Sequence, residues 1–322
     1  MWRRYFFPGL VLAILILKAV VEERFFLGDL ANGTPPIVWL VLTGLLLVVA
    51  AARKRWREVG FYAAALVAFA ALDWRPSFGP GAGPVKPAAG TIRFLQLNAF
   101  MQINGSDRLA ELIRKFEPDV VTMQEADVHD KPGPRIAELR ARLPDYQFAH
   151  DGQMLTAVRG RVERQISIPL THNFAYRPLL LTHAEVKGRR LVVGNVHLVP
   201  QGYTLYMPTS EEWLPRLLRF GPAHRRQAEE LHRVVPGNAF LVGDFNHTPQ
   251  GIAYRLFRSK WQDGFEAGGQ GLGHTIEIRQ RFKRIDYVLV PRSAAVLNAW
   301  VPDDVASDHL AVIVDVARDS LR

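Results

Sequence analysis

Eight side chains able to bind a metal ion or move a proton mark the edges of short apolar runs in the second part of the 322-residue chain: Asn98, Glu125, His197, Asp244, Asn246, Asp286, Asp308 and His309. Carboxylates and amides with one or two imidazoles suit Mg²⁺ or Mn²⁺ better than a structural zinc. There is no cysteine, which excludes disulfides, thiol nucleophiles and thiolate metal sites. A hard divalent ion held this way chiefly serves phosphoryl chemistry, where it neutralises phosphate oxygens and stabilises the attacking and leaving oxygens.

The elements that must position these groups alternate between strand and helix. Ile92–Leu97 is a run of strand formers ending at Asn98, and Val120–Met123 leads into Gln124-Glu125. Leu191–Val196 ends at His197, Phe240–Gly243 ends at Asp244, Arg284–Val290 runs through Asp286, and Ala311–Val316 follows Ser307-Asp308-His309. Arg108–Phe116 carries Leu109, Leu112, Ile113 and Phe116 at helical spacing and stops before Pro118, and Ala223–Val235 is a second amphipathic helix. Strand ends are where an α/β scaffold presents side chains to one shared site. Each residue also has a plainer reading: Asp244 and Asn246 as an Asx turn, Asp308 as a cap, Asp286 as a partner of Arg284, His197 as a hydrogen-bonded surface residue.

In this order, Asn98, Gln124-Glu125, Asn195-Val196-His197-Leu198, Gly243-Asp244-Phe245-Asn246, Arg284-Ile285-Asp286-Tyr287 and Ser307-Asp308-His309 resemble the motif series of the endonuclease/exonuclease/phosphatase superfamily over Thr91 to Val316. That family includes deoxyribonucleases, abasic-site endonucleases, inositol polyphosphate 5-phosphatases and neutral sphingomyelinases. The resemblance implies a two-sheet α/β sandwich with flanking helices. It implies Glu125 as the main metal ligand, with Asn98 and Asp308 completing or supporting the metal site. Asp244 is similar to the residue that orients or deprotonates the attacking water, and Asn246 to a phosphate-oxygen donor. His309 resembles the histidine on the scissile phosphate, Asp286 the carboxylate that fixes its tautomer, and His197 a second histidine near the leaving group. Arg177, at the start of a strand, is a further candidate phosphate contact. The segment Pro200–Pro222, with Tyr203, Tyr206, Trp213 and Phe220, is either a substrate lip, a bilayer contact or a small satellite core.

The first third of the chain differs in character. Tyr5–Val21 contains only Lys18 as a charge, Pro36–Ala52 contains none, and Val59–Trp74 is interrupted only by Asp73. These lengths reach or approach the lower limit for a bilayer span, so residues 1–74 read as an all-α transmembrane unit of about three helices. No small-residue cleavage site follows the first stretch, which argues against a signal peptide. The flanks run basic (Arg3, Arg4), acidic (Glu22, Glu23, Asp29), then basic (Arg53–Arg57). That order predicts a multi-pass cell-membrane protein with its catalytic domain outside the cytoplasm. Residues 75–90 hold four prolines and four glycines and read as a linker, leaving 91–322 as the catalytic domain.

The sequence therefore predicts a membrane-anchored, divalent-metal-dependent phosphoesterase whose partners are a lipid bilayer and a phosphate ester, either nucleic acid or phospholipid and inositol phosphate. No protein partner is implied. Ten basic against five acidic side chains up to Gly90, and 30 against 26 beyond it, suit an anionic substrate or surface. The alternatives are a catalytically inactive membrane receptor or scaffold that keeps the fold, and a secreted nuclease for which residues 1–74 serve only as a targeting segment.

Overall fold

The computed structural model describes residues 2–34, 36–73, 76–81, 83–128, 133–171, 177–200, 223–276 and 283–321. The chain divides into two compact units: Met1–Arg75 with Gln201–Arg225 and His247–Tyr254, and Pro76–Pro200 with Arg226–Asn246 and Arg255–Arg322.

In the first unit the apolar stretches fold as helices α1 (Trp2–Ile16), α2 (Phe26–Gly33), α3 (Pro36–Ala52) and α4 (Trp56–Asp73). Val11, Ile14, Ala50, Tyr62, Ala65 and Phe69 form their shared core. The only charge of the first stretch meets the last charge of the third: Lys18 Nζ lies 3.0 Å from Asp73 Oδ1, both buried, and also donates to Ala31 O at 3.0 Å. Lys18 sits in a π-helical turn, Leu17–Val21, that closes α1.

The expectation of a transmembrane unit is not met by these helices. Among the described residues no helix is long and apolar enough to cross a membrane. α1 stops after 15 residues at the π turn. α3 is apolar throughout but has 17 residues, about 26 Å at 1.5 Å per residue, against a hydrocarbon core of about 30 Å. α4 carries Arg57 and Glu58 in its first turn and ends on Asp73. Their outer surfaces are nonetheless apolar, with Phe6, Leu12, Val41, Leu45, Val48 and Val67 all exposed.

The second unit is built on two six-stranded sheets, which accords with the expected α/β sandwich. Its strands are β1 (Ser77–Phe78), β2 (Thr91–Asn98), β3 (Val120–Gln124), β4 (Gln147–Asp151), β5 (Met154–Val158), β6 (Arg161–Ile168), β7 (Leu179–Val186), β8 (Arg189–His197), β9 (Phe240–Asp244), β10 (Trp261–Asp263), β11 (Gln270–Gly271), β12 (Asp286–Pro291), β13 (Val296–Trp300) and β14 (Val312–Ala317). One sheet has the order β13-β14-β2-β3-β5-β4 and the other β10-β12-β9-β8-β7-β6. Each carries one parallel pair at its centre, β2 with β3 and β8 with β9. The short pair β1–β11 ties the start of the proline-rich segment to the unit. Helices α5 (Ser106–Phe116) and α6 (Pro134–Arg142) cover the first sheet; among the described residues the later helices are α7 (Ala223–Val234), α8 (Ile252–Lys260) and α9 (Gly264–Gly268).

Strand alternation separates two cores. In β2, Leu95 and Leu97 pack beneath Leu109, Leu112, Ile113 and Phe116 of α5. Ile92 and Phe94 point the other way, into the layer between the sheets with Val193, Phe240, Val242, Val288 and Val314. Phe94 and Phe240 stack across that layer with ring centroids 4.3 Å apart. Burying each such ring contributes about 2–3 kcal/mol, so the sheets are clamped together immediately below the strand ends that carry the polar residues.

Candidate active site

Strand pairing sets the polar residues side by side, parallel in β2–β3 and β8–β9 and antiparallel in β9–β12. Asn98 ends β2 opposite Gln124 of β3; His197 ends β8 opposite Asp244 of β9; Asp286 opens β12 opposite the same Asp244. Gly243 makes this approach possible. Its φ is +150°, and a Cβ there would lie 2.0 Å from Val196 O, so β9 can run this close to β8 only with glycine at that position. Glu125 follows β3 with φ +48°, a left-handed conformation that glutamate seldom adopts. Met101 N donates to its carbonyl at 2.7 Å and helps to hold it there.

The site converges on Oδ2 of Asp244, which accepts from Asn98 Nδ2 at 3.0 Å. His197 Nε2 is 3.4 Å away and His309 Nε2 4.0 Å away. His309 Nδ1 lies 2.8 Å from Asp286 Oδ2. Glu125 Oε1 is 3.8 Å from His197 Nε2. Arg177 links these two, with one guanidinium nitrogen 3.0 Å from His197 Nε2 and the other donating to Glu125 Oε1 at 3.3 Å.

The structure thus brings Asn98, Glu125, Arg177, His197, Asp244, Asp286 and His309 together. Asp308 adjoins His309, accepts from Ser307 Oγ at 3.0 Å and adds its charge to the field on the imidazole. Asn246 departs in part from the expected phosphate donor. Its backbone N–H donates to Asp244 Oδ1 at 2.8 Å, an Asx turn at φ +51°, and one N–H of its side-chain amide is committed to Leu198 O at 2.9 Å. The turn orients Asp244, so the plainer reading and the functional one coexist. Asp286 is not a simple partner of Arg284, whose guanidinium pairs with Asp263 instead. Residues 201–222, which hold the aromatic insertion, lie outside the described residues.

Two contributors to the site were not singled out in the sequence. Gln96 donates to Asp286 Oδ1 at 3.0 Å, and the Thr275 hydroxyl accepts from the Asp286 N–H at 3.3 Å. A buried glutamine between Leu95 and Leu97 is the available signal, since an interior position that could hold a leucine holds an amide instead.

The electrostatics follow from burial. Desolvation, then the neighbouring Asp286 charge, pushes the Asp244 carboxyl up to about 7, against the lowering effects of His309, Asn98 and the Asn246 N–H. Burial alone works against a charged His309. Asp286, Asp244 and Asp308 together outweigh it and hold the imidazolium up to about 10.

Ligand atoms of Asp244, Asp286 and His309 lie within 4.8 Å of one another, a buried Asp-Asp-His group. Both Asp286 oxygens are already used, one by Gln96 and one by His309, so this carboxylate suits orientation better than ligation. The donor set fits a hard divalent ion: oxygen-rich, free of thiols, and with buried carboxylates close enough to raise the proton affinity of Asp244. Extra positive charge would relieve that crowding.

Fold and site together define a two-sheet α/β sandwich with a buried polar centre at its strand ends. The Endonuclease/Exonuclease/phosphatase family model matches residues 95–309, and the chain belongs to that family. Among solved structures it is similar to an endonuclease/exonuclease/phosphatase from Beutenbergia cavernae: 21% identity, 70% of this chain and 71% of that chain covered, TM-score 0.55. A family protein from Bacteroides thetaiotaomicron matches at 18% identity, covering 72% and 98%, with TM-score 0.54. The human Nocturnin catalytic domain matches at 18%, covering 71% and 95%, with TM-score 0.51. At these identities the likeness is one of fold. No curated protein matches the chain.

Proposed function

We propose that the protein is a divalent-metal-dependent phosphoesterase. The observation that carries this reading is the buried Asp244–Asp286–His309 group with His309 Nδ1 on Asp286 and Asn98 on Asp244. Glu125 is assigned as the principal ligand of Mg²⁺ or Mn²⁺, with Asn98 and Asp308 supporting the site. The ion, when bound, supplies charge neutralisation at the phosphate oxygens. Asp244 orients the attacking water and takes its proton. His309, held cationic by Asp286, donates to a phosphate oxygen, and Arg177 and His197 face the leaving-group side. Asn246 serves chiefly by fixing Asp244. An inactive scaffold would not need these groups aligned in one buried cluster.

The test is hydrolysis by the purified full-length chain of single- and double-stranded DNA, RNA, sphingomyelin, phosphatidylinositol phosphates and bis(p-nitrophenyl) phosphate, with Mg²⁺, Mn²⁺ or Ca²⁺. Metal-dependent turnover of at least one is expected; inactivity on all of them, with the metal bound, would leave the scaffold reading.

We also propose that the first unit holds the protein at a membrane. Support comes from the exposed apolar side chains of its helices, including Phe6, Val41, Leu45 and Val67, since an exposed apolar patch suits a membrane contact. The chain should stay with washed membranes; release by salt alone would sink the idea. Were the first unit to cross the bilayer, the basic–acidic–basic order of its flanks would put the catalytic unit outside the cytoplasm. A phosphatase reporter fused after residue 90 should then be active, and a fluorescent one dark.

A further inference from the structure

We infer that three buried side-chain amides, Asn195, Gln124 and Gln96, form a directed relay that positions the Asp286–His309 pair from inside the core. The inference rests on the proposed phosphoesterase reading for its kinetic consequence, though not for its geometry. None of the three reaches the site surface: Gln96, Gln124 and Asn195 are each 0% exposed.

The direction of the relay is forced by chemistry. Asn195, on β8, reaches across to the other sheet and donates through Nδ2 to Met123 O at 3.0 Å and Leu155 O at 2.8 Å. Met123 and Leu155 are the last registered pair of the β3–β5 ladder. Two carbonyls can only accept, so Asn195 must turn its amide nitrogen towards them and its Oδ1 towards Gln124. That oxygen in turn fixes Gln124, which donates Nε2 to it at 2.7 Å. Gln124 therefore offers Oε1 to Gln96, and Gln96 must answer with Nε2, at 2.7 Å. The second N–H of the same nitrogen donates to Asp286 Oδ1 at 3.0 Å. No step can be reversed without setting two donors or two acceptors face to face.

The relay delivers an N–H to Asp286. A carboxylate whose Oδ1 accepts from Gln96 is held with Oδ2 turned to His309, at 2.8 Å. The imidazole then carries its proton on Nδ1 and turns Nε2 towards Asp244. The network also leaves Gln96 Oε1 without a hydrogen-bond partner among the described residues. A core selected for stability alone would avoid such a buried acceptor. Keeping it is the cost of aiming both N–H groups of one amide at Gln124 and Asp286. Gln96 shares the inward face of β2 with Ile92 and Phe94, one strand repeat nearer the site, where a leucine would pack equally well.

Gln96, Gln124 and Asn195 are thus positioning residues that act through Asp286. The experiment uses the full-length protein and Gln96→Met, which keeps length and volume but not the donor, with Gln124→Met as the second variant. Turnover of bis(p-nitrophenyl) phosphate with Mn²⁺ should fall about ten-fold or more in kcat, the usual scale for outer partners of a catalytic group, with KM unchanged. In an Asp286→Asn background the same substitution should change kcat less than about two-fold, because the group it acts through is gone. Independently of activity, the Nδ1–H proton resonance of His309, identified by its disappearance in His309→Ala, should shift in both methionine variants while thermal unfolding stays cooperative. An unmoved resonance, or an equal loss of kcat in the presence and absence of the Asp286 carboxylate, overturns the inference. If the wild-type protein hydrolyses nothing, the phosphoesterase reading falls, and the resonance still decides the relay.

Discussion

His309 Nδ1 and Asp286 Oδ2 are 2.8 Å apart, a contact that joins a residue three positions before β14 to the first residue of β12 and therefore bridges the two sheets. It fixes which imidazole nitrogen faces Asp244 and keeps the ring cationic against its own burial. His309→Ala and Asp244→Ala should each lower kcat by about 10²-fold or more, the scale of a lost acid–base or electrostatic group. Both variants should still unfold cooperatively, because neither side chain packs an apolar core. Loss of cooperative unfolding in both variants would make the pair structural. His197→Ala should have a smaller effect that depends on the leaving group.

Glu125→Gln should abolish activity and Mn²⁺ binding together. The substitution preserves shape and the hydrogen bond to Arg177 but removes the charge a hard cation needs. Calorimetric titration of the variant with Mn²⁺ checks it; wild-type affinity would move the metal elsewhere in the cluster.

The sign of the pH dependence of stability follows from two raised proton affinities. The His309 contribution is fully present below its ordinary value of 6.5 and is lost as pH rises through about 10. The Asp244 contribution, also from a raised value, is present below its ordinary 3.8 and lost as pH rises through about 7. Both point the same way, so the chelated protein should lose thermal stability between pH 5 and pH 8. Asp244→Asn should flatten that loss, and Mn²⁺ should restore the wild type more at the higher pH. A chelated wild type that gains stability over this interval would contradict the assignment.

Lys18 and Asp73 offer a test within the first unit. Replacing either alone by leucine strands a buried charge, which costs about 3–5 kcal/mol, whereas replacing both should recover most of the loss. Thermal unfolding of the two single variants and the double variant decides it; additive losses would show that the two charges do not compensate each other.

The strand ends of the site were legible because a polar residue directly after an apolar run is a local signal. Asn98, Glu125, His197 and Asp244 all stand in that position, and Gly243 marks the close approach that presents Asp244. The two-sheet architecture came from the motif resemblance alone; which strand joins which sheet was not legible, since pairing depends on contacts remote in sequence. β6, with Arg161, Glu163 and Arg164 exposed on an edge, lacks the apolar run that announces a strand. The amides of the relay read as ordinary polar positions, because a buried glutamine and a solvent-facing one look alike until the second sheet is in place. In the first unit, composition reported apolarity correctly but not where each helix stops; the π turn at Lys18 and the charges of α4 set those ends.

β14 completes its sheet by pairing with β2, Ile313 beside Leu95 and Asp315 beside Arg93. Those partners leave the ribosome more than 200 residues apart. A nascent chain can therefore hold Asn98, Glu125, His197, Asp244 and Asp286 while β2 still has an open edge and His309 has not been made. The candidate site is therefore incomplete until residue 309 is made. A chain that stops short of His309 has most of the site's carboxylates, no partner for Asp286 and an exposed edge on β2, a form suited to aggregation or proteolysis.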